Sequence, residues 1–291
     1  MASFLTVLLN GIAFGMLFFL TSVGLSVTMG LMNFINLAHG VFGMVGGYTC
    51  VVLLNRAGVP FLASLPVAIV VPTLLGVLLE RTLYRRLYGK SELAQVLFSL
   101  GIVFIAIATA YYFFGPNEQS VHLPEFLKAR IDVAGVAISA YSLALIAVGL
   151  IVAYGLHWSI VKTAFGAKLR AAVDNQRVAR GLGINVDRIF MITFALGSAL
   201  AGFGGALGIQ MLGVAPEFPV TYLVFFLIVV TVGGTGNILG SLYAAILVGV
   251  VDIVGKYYIP QAGAFFIYAV MVITLVVRPQ GLFGRSQGRA T

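Results

Sequence analysis

The sequence predicts an all-α, polytopic membrane protein, and three observations carry that prediction. Its 291 residues are 60% hydrophobic, with a mean hydropathy of +1.08. Only 9% of them are charged, against about 25% in a soluble domain. Seven runs, 1–55, 57–79, 93–117, 133–161, 189–216, 218–251 and 257–277, hold no Asp, Glu, Lys or Arg. A span needs about 20 apolar residues, and in the bilayer core the backbone must satisfy its own hydrogen bonds, so the runs are read as helices. A β-barrel would alternate polar and apolar residues with period two. Residues 1–291 are read as a single transmembrane domain.

In chain order, the first run is too long for one span. As a single helix its 55 residues would reach about 80 Å, far beyond a bilayer core of about 30 Å. The break is expected at residues 30–40, where Asn33, Asn36 and His39 interrupt an apolar stretch flanked by Gly30 and Gly40. Polar groups at membrane depth usually face a cavity or the bundle interior. Gly40, Gly43, Gly46 and Gly47 follow and suit close helix packing. Arg56 and Pro60 mark a turn, and spans are expected over about 61–79, 93–114 and 133–160, with a loop over 115–132. A Gly/Ala-rich span over about 189–212 presents Gly197, Ala201, Gly205, Ala206 and Gly208 as a packing face. The run 218–251 is again over-long, and breaks at Gly233-Gly234-Thr235-Gly236-Asn237, with Gly240 just beyond. Tyr257, Tyr258 and Pro260 read as an interfacial turn, and the last span covers about 265–277. The total is about eight spans if residues 31–55 re-enter without crossing, and nine if they cross. The N-terminal run lacks a basic region and a cleavage site, and is read as a retained span.

Between these runs lies one long polar island, residues 162–188. It carries Lys162, Lys168, Arg170, Arg177, Arg180 and Arg188 against Asp174 and Asp187. Leu169, Ala172 and Val173 share one helical face; Val178, Ala179 and Leu182 share another. Asp174-Asn175 can end one short helix and cap the next, and Gly183 is a stop signal. The pattern fits a docking surface of two amphipathic helices, or equally a solvated loop that only sets orientation. The island, the 80–92 loop and the C-terminal tail hold thirteen of the 17 Lys and Arg. That side is expected to be cytoplasmic, with the C-terminus. Topology therefore accounts for the net charge of +8, and no nucleic-acid partner is expected.

Reactive constellations are hard to find. There is no HExxH, GxSxG or Walker A signature, and Cys50 is the single cysteine. No catalytic residue, metal site or cofactor is expected. Asp252, the one carboxylate deep in an apolar block, sits four residues before Lys256, the spacing of a helical ion pair. His39 could meet a polar solute or a proton, or donate to a carbonyl freed at the helix break. Glycine-punctuated breaks in both halves, at 30–40 and 233–240, point to a transport site built from discontinuous helices; simple kinks would leave the same trace. Asn36, His39, Gly234, Thr235 and Asn237 are the candidate pathway residues.

Four patches give the chain a family resemblance. They are Asn36-Leu37-Ala38-His39-Gly40 with Tyr48; Gly166 to Ile184, as G-x-x-x-R-A…N…A-x-x-L-G-I, with Asp187-Arg188; Gly233-Gly234-Thr235-Gly236-Asn237 with Gly240; and Arg278-Pro279-x-Gly281-x-x-Gly284. The chain resembles the membrane permeases of bacterial ABC importers for branched-chain amino acids and related solutes. The resemblance implies an inner-membrane permease that is not itself an enzyme. It implies two ATPase subunits, a second permease subunit and a periplasmic solute-binding protein as partners. The ATPase-coupling segment would hold Gly166, Lys168, Arg170, Arg177, Ala179, Arg180 and Gly183. Val41 and Phe42 stand where the family often has an acidic residue, and Thr235 and Asn237 where it often has Ile and Ser. Relatives carry urea, short amides and aromatic acids, which leaves the solute open; the alternative, of a different class, is a passive channel or facilitator for a small polar solute such as urea.

Overall fold

The structure is a computed structural model that describes residues 2–32, 34–121, 123–133 and 136–284; Asn33 lies outside the described residues. Nine apolar helices are found among the described residues. They are α1 (Ala2–Met32), α2 (His39–Asn55), α3 (Phe61–Thr82), α4 (Glu92–Phe114), α6 (Ala140–Lys162), α9 (Val186–Leu212), α10 (Phe218–Gly233), α11 (Ile238–Tyr258) and α12 (Gly263–Val277). Six are long and apolar enough to cross a membrane, while α2, α10 and α12 are shorter. The small elements are α5 (Glu125–Lys128), a β1–β2 hairpin (Arg130–Val133, Val136–Ser139), and α7 (Ala164–Asp174) with α8 (Gln176–Gly181).

Local chemistry fixes the boundaries. Ser91 caps α4 by accepting from the Ala94 amide (3.4 Å), and Asn185 caps α9 by accepting from Arg188 (2.9 Å). Past α4 and α9 the chain turns at Gly115 and Gly213, both at positive φ. One expectation needs correction. The span expected from residue 133 begins at Ala140, because 130–133 and 136–139 pair antiparallel with Arg130 opposite Ser139. The β-branched Val133, Val136 and Ile138 favour strand here over helix.

The long helix α1 is the hub, packed against α6, α9, α10 and α11. Glycines set the spacing. A Cβ on Gly249 of α11 would lie 2.3 Å from the Gly15 amide of α1. One on Gly46 of α2 would lie 2.1 Å from the Gly202 carbonyl of α9. Backbones this close gain dispersion contact and weak hydrogen bonds that lipid chains do not replace.

The bundle has two distinct ends. At one, Asn10 of α1 accepts from Ser142 (3.0 Å), Asn55 of α2 donates to the Ser120 carbonyl (3.2 Å), and Gln119 bridges to Val214. This is the hairpin end. At the other, Arg85 pairs with Asp187, and Gly236 donates to the Ser26 carbonyl (3.0 Å). This is the island end. Helix α1 therefore starts at the hairpin end, and α2 returns to it. The start of α1 and the 278–284 tail therefore lie at opposite ends of the bundle.

Candidate functional site

The first break occupies residues 34–38. Helix α1 runs past Gly30 to Met32 at the island end, and the chain then climbs back before α2 starts. His39, the first residue of α2, is buried and donates from Nε2 to the Thr21 carbonyl (2.9 Å). Thr21 lies eleven residues before Met32, about 16 Å along the helix axis, so α2 begins deep inside the bundle. Its loop backbone would be costly in hydrocarbon unless its donors were satisfied. Side chains of α4 do that: Gln95 accepts from the Ile35 amide (3.0 Å) and Ser99 from the Leu37 amide (3.2 Å). Asn36 accepts from its own loop at Ala38 (3.1 Å) and from the Tyr84 hydroxyl (3.2 Å). Its amide nitrogen is buried and has no partner among the described residues. That leaves Asn36 as the pathway candidate with a free buried donor, whereas the imidazole of His39 is tied to α1.

The second break, residues 234–237, lies at the island end between α10 and α11. Gly234 and Gly236 adopt positive φ, +85° and +76°. Asn237 caps α11 by accepting from Gly240 (2.9 Å), and its Nδ2 donates to the Phe283 carbonyl (2.8 Å). The tail docks here as well: the Leu282 amide donates to the Val232 carbonyl (2.7 Å), and a Cβ on Gly234 would meet the Gly284 backbone at 2.7 Å. Thr235 is exposed. The two breaks touch. A Cβ on Gly30 would lie 2.0 Å from the Gly236 amide, and Ser241 of α11 donates to Ser26 of α1 (2.9 Å).

The island folds as two capped helices. Thr163 accepts from Gly166 (3.4 Å) at the start of α7, and Asn175 accepts from Val178 (3.0 Å) at the start of α8. Gly166 is pressed onto the end of α6, where a Cβ would be 1.9 Å from the Ile160 carbonyl. Gly183 has open space around it but a φ of +79°, so its backbone conformation is what requires glycine. Leu169, Ala172 and Ala179 are buried, whereas Val178 and Leu182 are 56% and 73% exposed. The face drawn through Val178, Ala179 and Leu182 therefore splits: Ala179 points inward and the other two outward. Arg170 donates to the Ile160 carbonyl, and Arg180 pairs with Asp187 (3.0 Å), which Arg85 also meets. Lys168 and Arg177 are exposed and make no ion pair among the described residues.

Several residues around the first break carry weight that the sequence reading passed over. Tyr84 is fully buried, in edge-on contact with Phe34 (5.3 Å between centroids) and tilted against Phe194 (5.1 Å). Glu80 is buried and accepts from the Tyr88 hydroxyl (3.2 Å). Burial, and then the Glu80 carboxylate beside it, push the Tyr88 hydroxyl pKa up. Gln95 and Ser99 sit four apart on a largely apolar helix, a polar i,i+4 stripe that was visible in the sequence. Asp252 pairs with Lys256 (2.7 Å) as its spacing suggested; its other oxygen, Oδ1, is buried without a partner among the described residues.

Comparison with known proteins adds to this geometry. The profile of the family described as branched-chain amino acid transport system / permease component matches residues 7–275. The chain belongs to this family. It is 27% identical to the high-affinity branched-chain amino acid transport system permease protein BraD of Pseudomonas aeruginosa, over 98% of this chain and 97% of that protein. It is 26% identical to the probable branched-chain amino acid transport permease protein LivH of Methanocaldococcus jannaschii, over 96% and 92%. It is also 25% identical to the permease protein LivM of Salmonella typhimurium, over 92% of this chain and 68% of that one. No solved structure matches. The family member described here is a multi-pass membrane protein and a transport component.

Proposed function

We propose that this chain is one permease subunit of an ABC importer that carries branched-chain amino acids across a bacterial inner membrane. Two separate ATPase subunits would supply the energy, a second permease subunit would complete the pathway, and a periplasmic binding protein would deliver the solute. The island end, with its concentration of Lys and Arg, is assigned to the cytoplasm together with the C-terminal tail.

The observation that carries the reading is the two-faced island. Leu169, Ala172 and Ala179 anchor α7 and α8 to the bundle, while Lys168, Arg177, Val178 and Leu182 face outward. A solvated loop has no need of an outward apolar pair beside free cations. A docking surface does, since exposed apolar groups rimmed by polar ones mark interaction sites. In this reading the Asn36 loop lies along the solute pathway and the Gly234–Gly236 turn at its cytoplasmic mouth.

The test is co-purification in mild detergent, followed by charge reversal. An ATPase should accompany the native chain. The Lys168→Glu/Arg177→Glu double variant should remain in the membrane and lose both the ATPase and leucine uptake. Native uptake by that variant would defeat the docking assignment. Because the single native cysteine, Cys50, is buried, a cysteine introduced at Leu182 can report sidedness. Labelling it from outside intact cells would overturn the orientation.

A further inference from the structure

At the hairpin end, opposite the island, a cavity of about 540 Å³ opens between α1, α6, α9, α11 and the loop that carries α5 and β1. One part of its lining is polar and basic: Asn10, Ser142, Gln210, Lys128 and Arg130. Another is apolar: Phe14, Leu123, Met211 and Ile253. The volume falls within the range of small-molecule sites, about 300–1,000 Å³.

The charges in it are unequal. Lys128 is engaged by Glu125 (2.8 Å). Arg130 has no carboxylate within ion-pair distance among the described residues, although its backbone is fixed by pairing with Ser139. A guanidinium held on a strand beside a partly apolar cavity is suited to a planar anion, which it can grip with two parallel hydrogen bonds. The side-chain carbonyls of Asn10 and Gln210 can take an ammonium group. We infer that this cavity is an outer vestibule that receives a small zwitterion with an apolar side chain, the carboxylate on Arg130 and the side chain against Phe14 and Met211.

The inference rests on the transport reading above and gives it a first contact site on this chain. The vestibule separates the two halves of such a solute: Arg130 and Gln210 hold the charged end, and the apolar wall receives the rest. A neutral solute such as urea would leave Arg130 without a counter-charge and the apolar wall without an occupant.

The experiment uses the assembled importer, without its binding protein, in nanodiscs of zwitterionic lipid, and reads ligand binding by saturation-transfer NMR. The probes are L-leucine and L-leucinamide, which has the same side chain but no carboxylate. Leucine should bind, and leucinamide about tenfold more weakly. Arg130→Gln should weaken leucine at least fivefold and leave leucinamide unchanged, while Arg130→Lys should recover part of the loss. Gln210→Ala is a second, independent probe of the charged end and should also weaken leucine. Equal binding of the two probes, no leucine binding, or native binding in both Arg130→Gln and Gln210→Ala would overturn the assignment. So would leucine binding that disappears when anionic lipid is added, since the cavity would then hold a lipid headgroup. Leucine uptake by the complete native importer is measured in parallel. Binding through Arg130 without uptake would refute the transport function and leave the vestibule standing, and uptake without such binding would do the reverse.

Discussion

Replacing Gly30 with alanine tests the contact between the two breaks. The added Cβ would lie 2.0 Å from the Gly236 amide nitrogen, 2.3 Å from its Cα and 2.4 Å from the Thr235 carbonyl carbon. All three are backbone atoms, so no side chain can swing aside. Restoring ordinary contact requires the turn to retreat by about 1.4 Å, which breaks the 3.0 Å bond from the Gly236 amide to the Ser26 carbonyl. An amide left unpaired costs about 1–3 kcal/mol, and overpacking adds about 1–3 kcal/mol. The expected loss is therefore about 2–6 kcal/mol, concentrated at the junction of α1 with the α10–α11 turn. Leucine uptake in vesicles, normalised to membrane level, should fall more than tenfold, and the melting temperature in detergent should drop. Gly101→Ala is the control. Gly101 is helical with nothing within 4 Å of an added Cβ, so its substitution should change stability by less than about 1 kcal/mol. Native uptake and melting in Gly30→Ala would refute the claim that the breaks must touch.

Three further perturbations follow from the same geometry. Gln95→Ala and Ser99→Ala each strip the partner from a loop amide, at Ile35 or Leu37, and should each lower stability by about 1–3 kcal/mol in detergent melts; Ser99→Thr, which keeps the hydroxyl, should lose less. Gly183→Ala strains a backbone at φ +79° and should cost about 1 kcal/mol, whereas Gly183→Asn should be milder because asparagine tolerates that region; Gly183→Pro should abolish uptake outright. Lys256→Ala strands the Asp252 carboxylate, which is 0% exposed. Because Lys256 is itself half exposed, the loss should be about 1–3 kcal/mol, less than for a fully buried pair. Adding Asp252→Asn should recover most of it, and a double variant no better than Lys256→Ala would disprove the pairing.

Much of this architecture was legible in the sequence because it rests on local signals. Uncharged runs gave the helices, Asn175 and Gly183 gave the island's joints, and the Asp252–Lys256 spacing gave an ion pair. The glycines at 40, 43, 46 and 47, and those of α9, marked packing faces; Gly46 packs on Gly202 and Gly205 on Gly43, while Gly40 meets Pro219 and Gly47 meets Val214. What stayed hidden depends on which helices lie side by side. Nothing in residues 30–40 says that Gln95 and Ser99 will satisfy their amides, since those partners come from 60 and 62 residues away. Asp187 looked like one of two lone acids in a basic island, but it gathers Arg85 and Arg180. The tail motif gave no hint that Phe283 closes onto Asn237. Of the candidate site residues, Gly234 and Asn237 have evident structural tasks, whereas Lys168 and Arg177 lack them.

How a push on the island would reach the solute is suggested by a second apolar cluster, separate from the main core. It joins Leu169, Ala172 and Ala179 of the island to Met32, Phe34 and Phe42 around the first break, through Tyr84, Phe190 and Phe194. Ring contacts continue inward from Phe34 to Tyr84, to Phe194, to Phe42 (5.7 Å) and to His39 (6.2 Å). Close-packed groups of this kind repack between discrete arrangements instead of deforming smoothly. Displacement of α7 and α8 must therefore shift these rings or open a void beneath them. Asn36 sits on the same loop as Phe34 of this cluster, held by Tyr84 on one side and by its own backbone on the other. Moving Tyr84 removes a donor from Asn36 and leaves the side chain free to turn, so a mechanical input at the island would be read out as a change in hydrogen bonding deep in the membrane. The Asn36 amide nitrogen, without a partner among the described residues, would be free to bond anew in such a rearrangement.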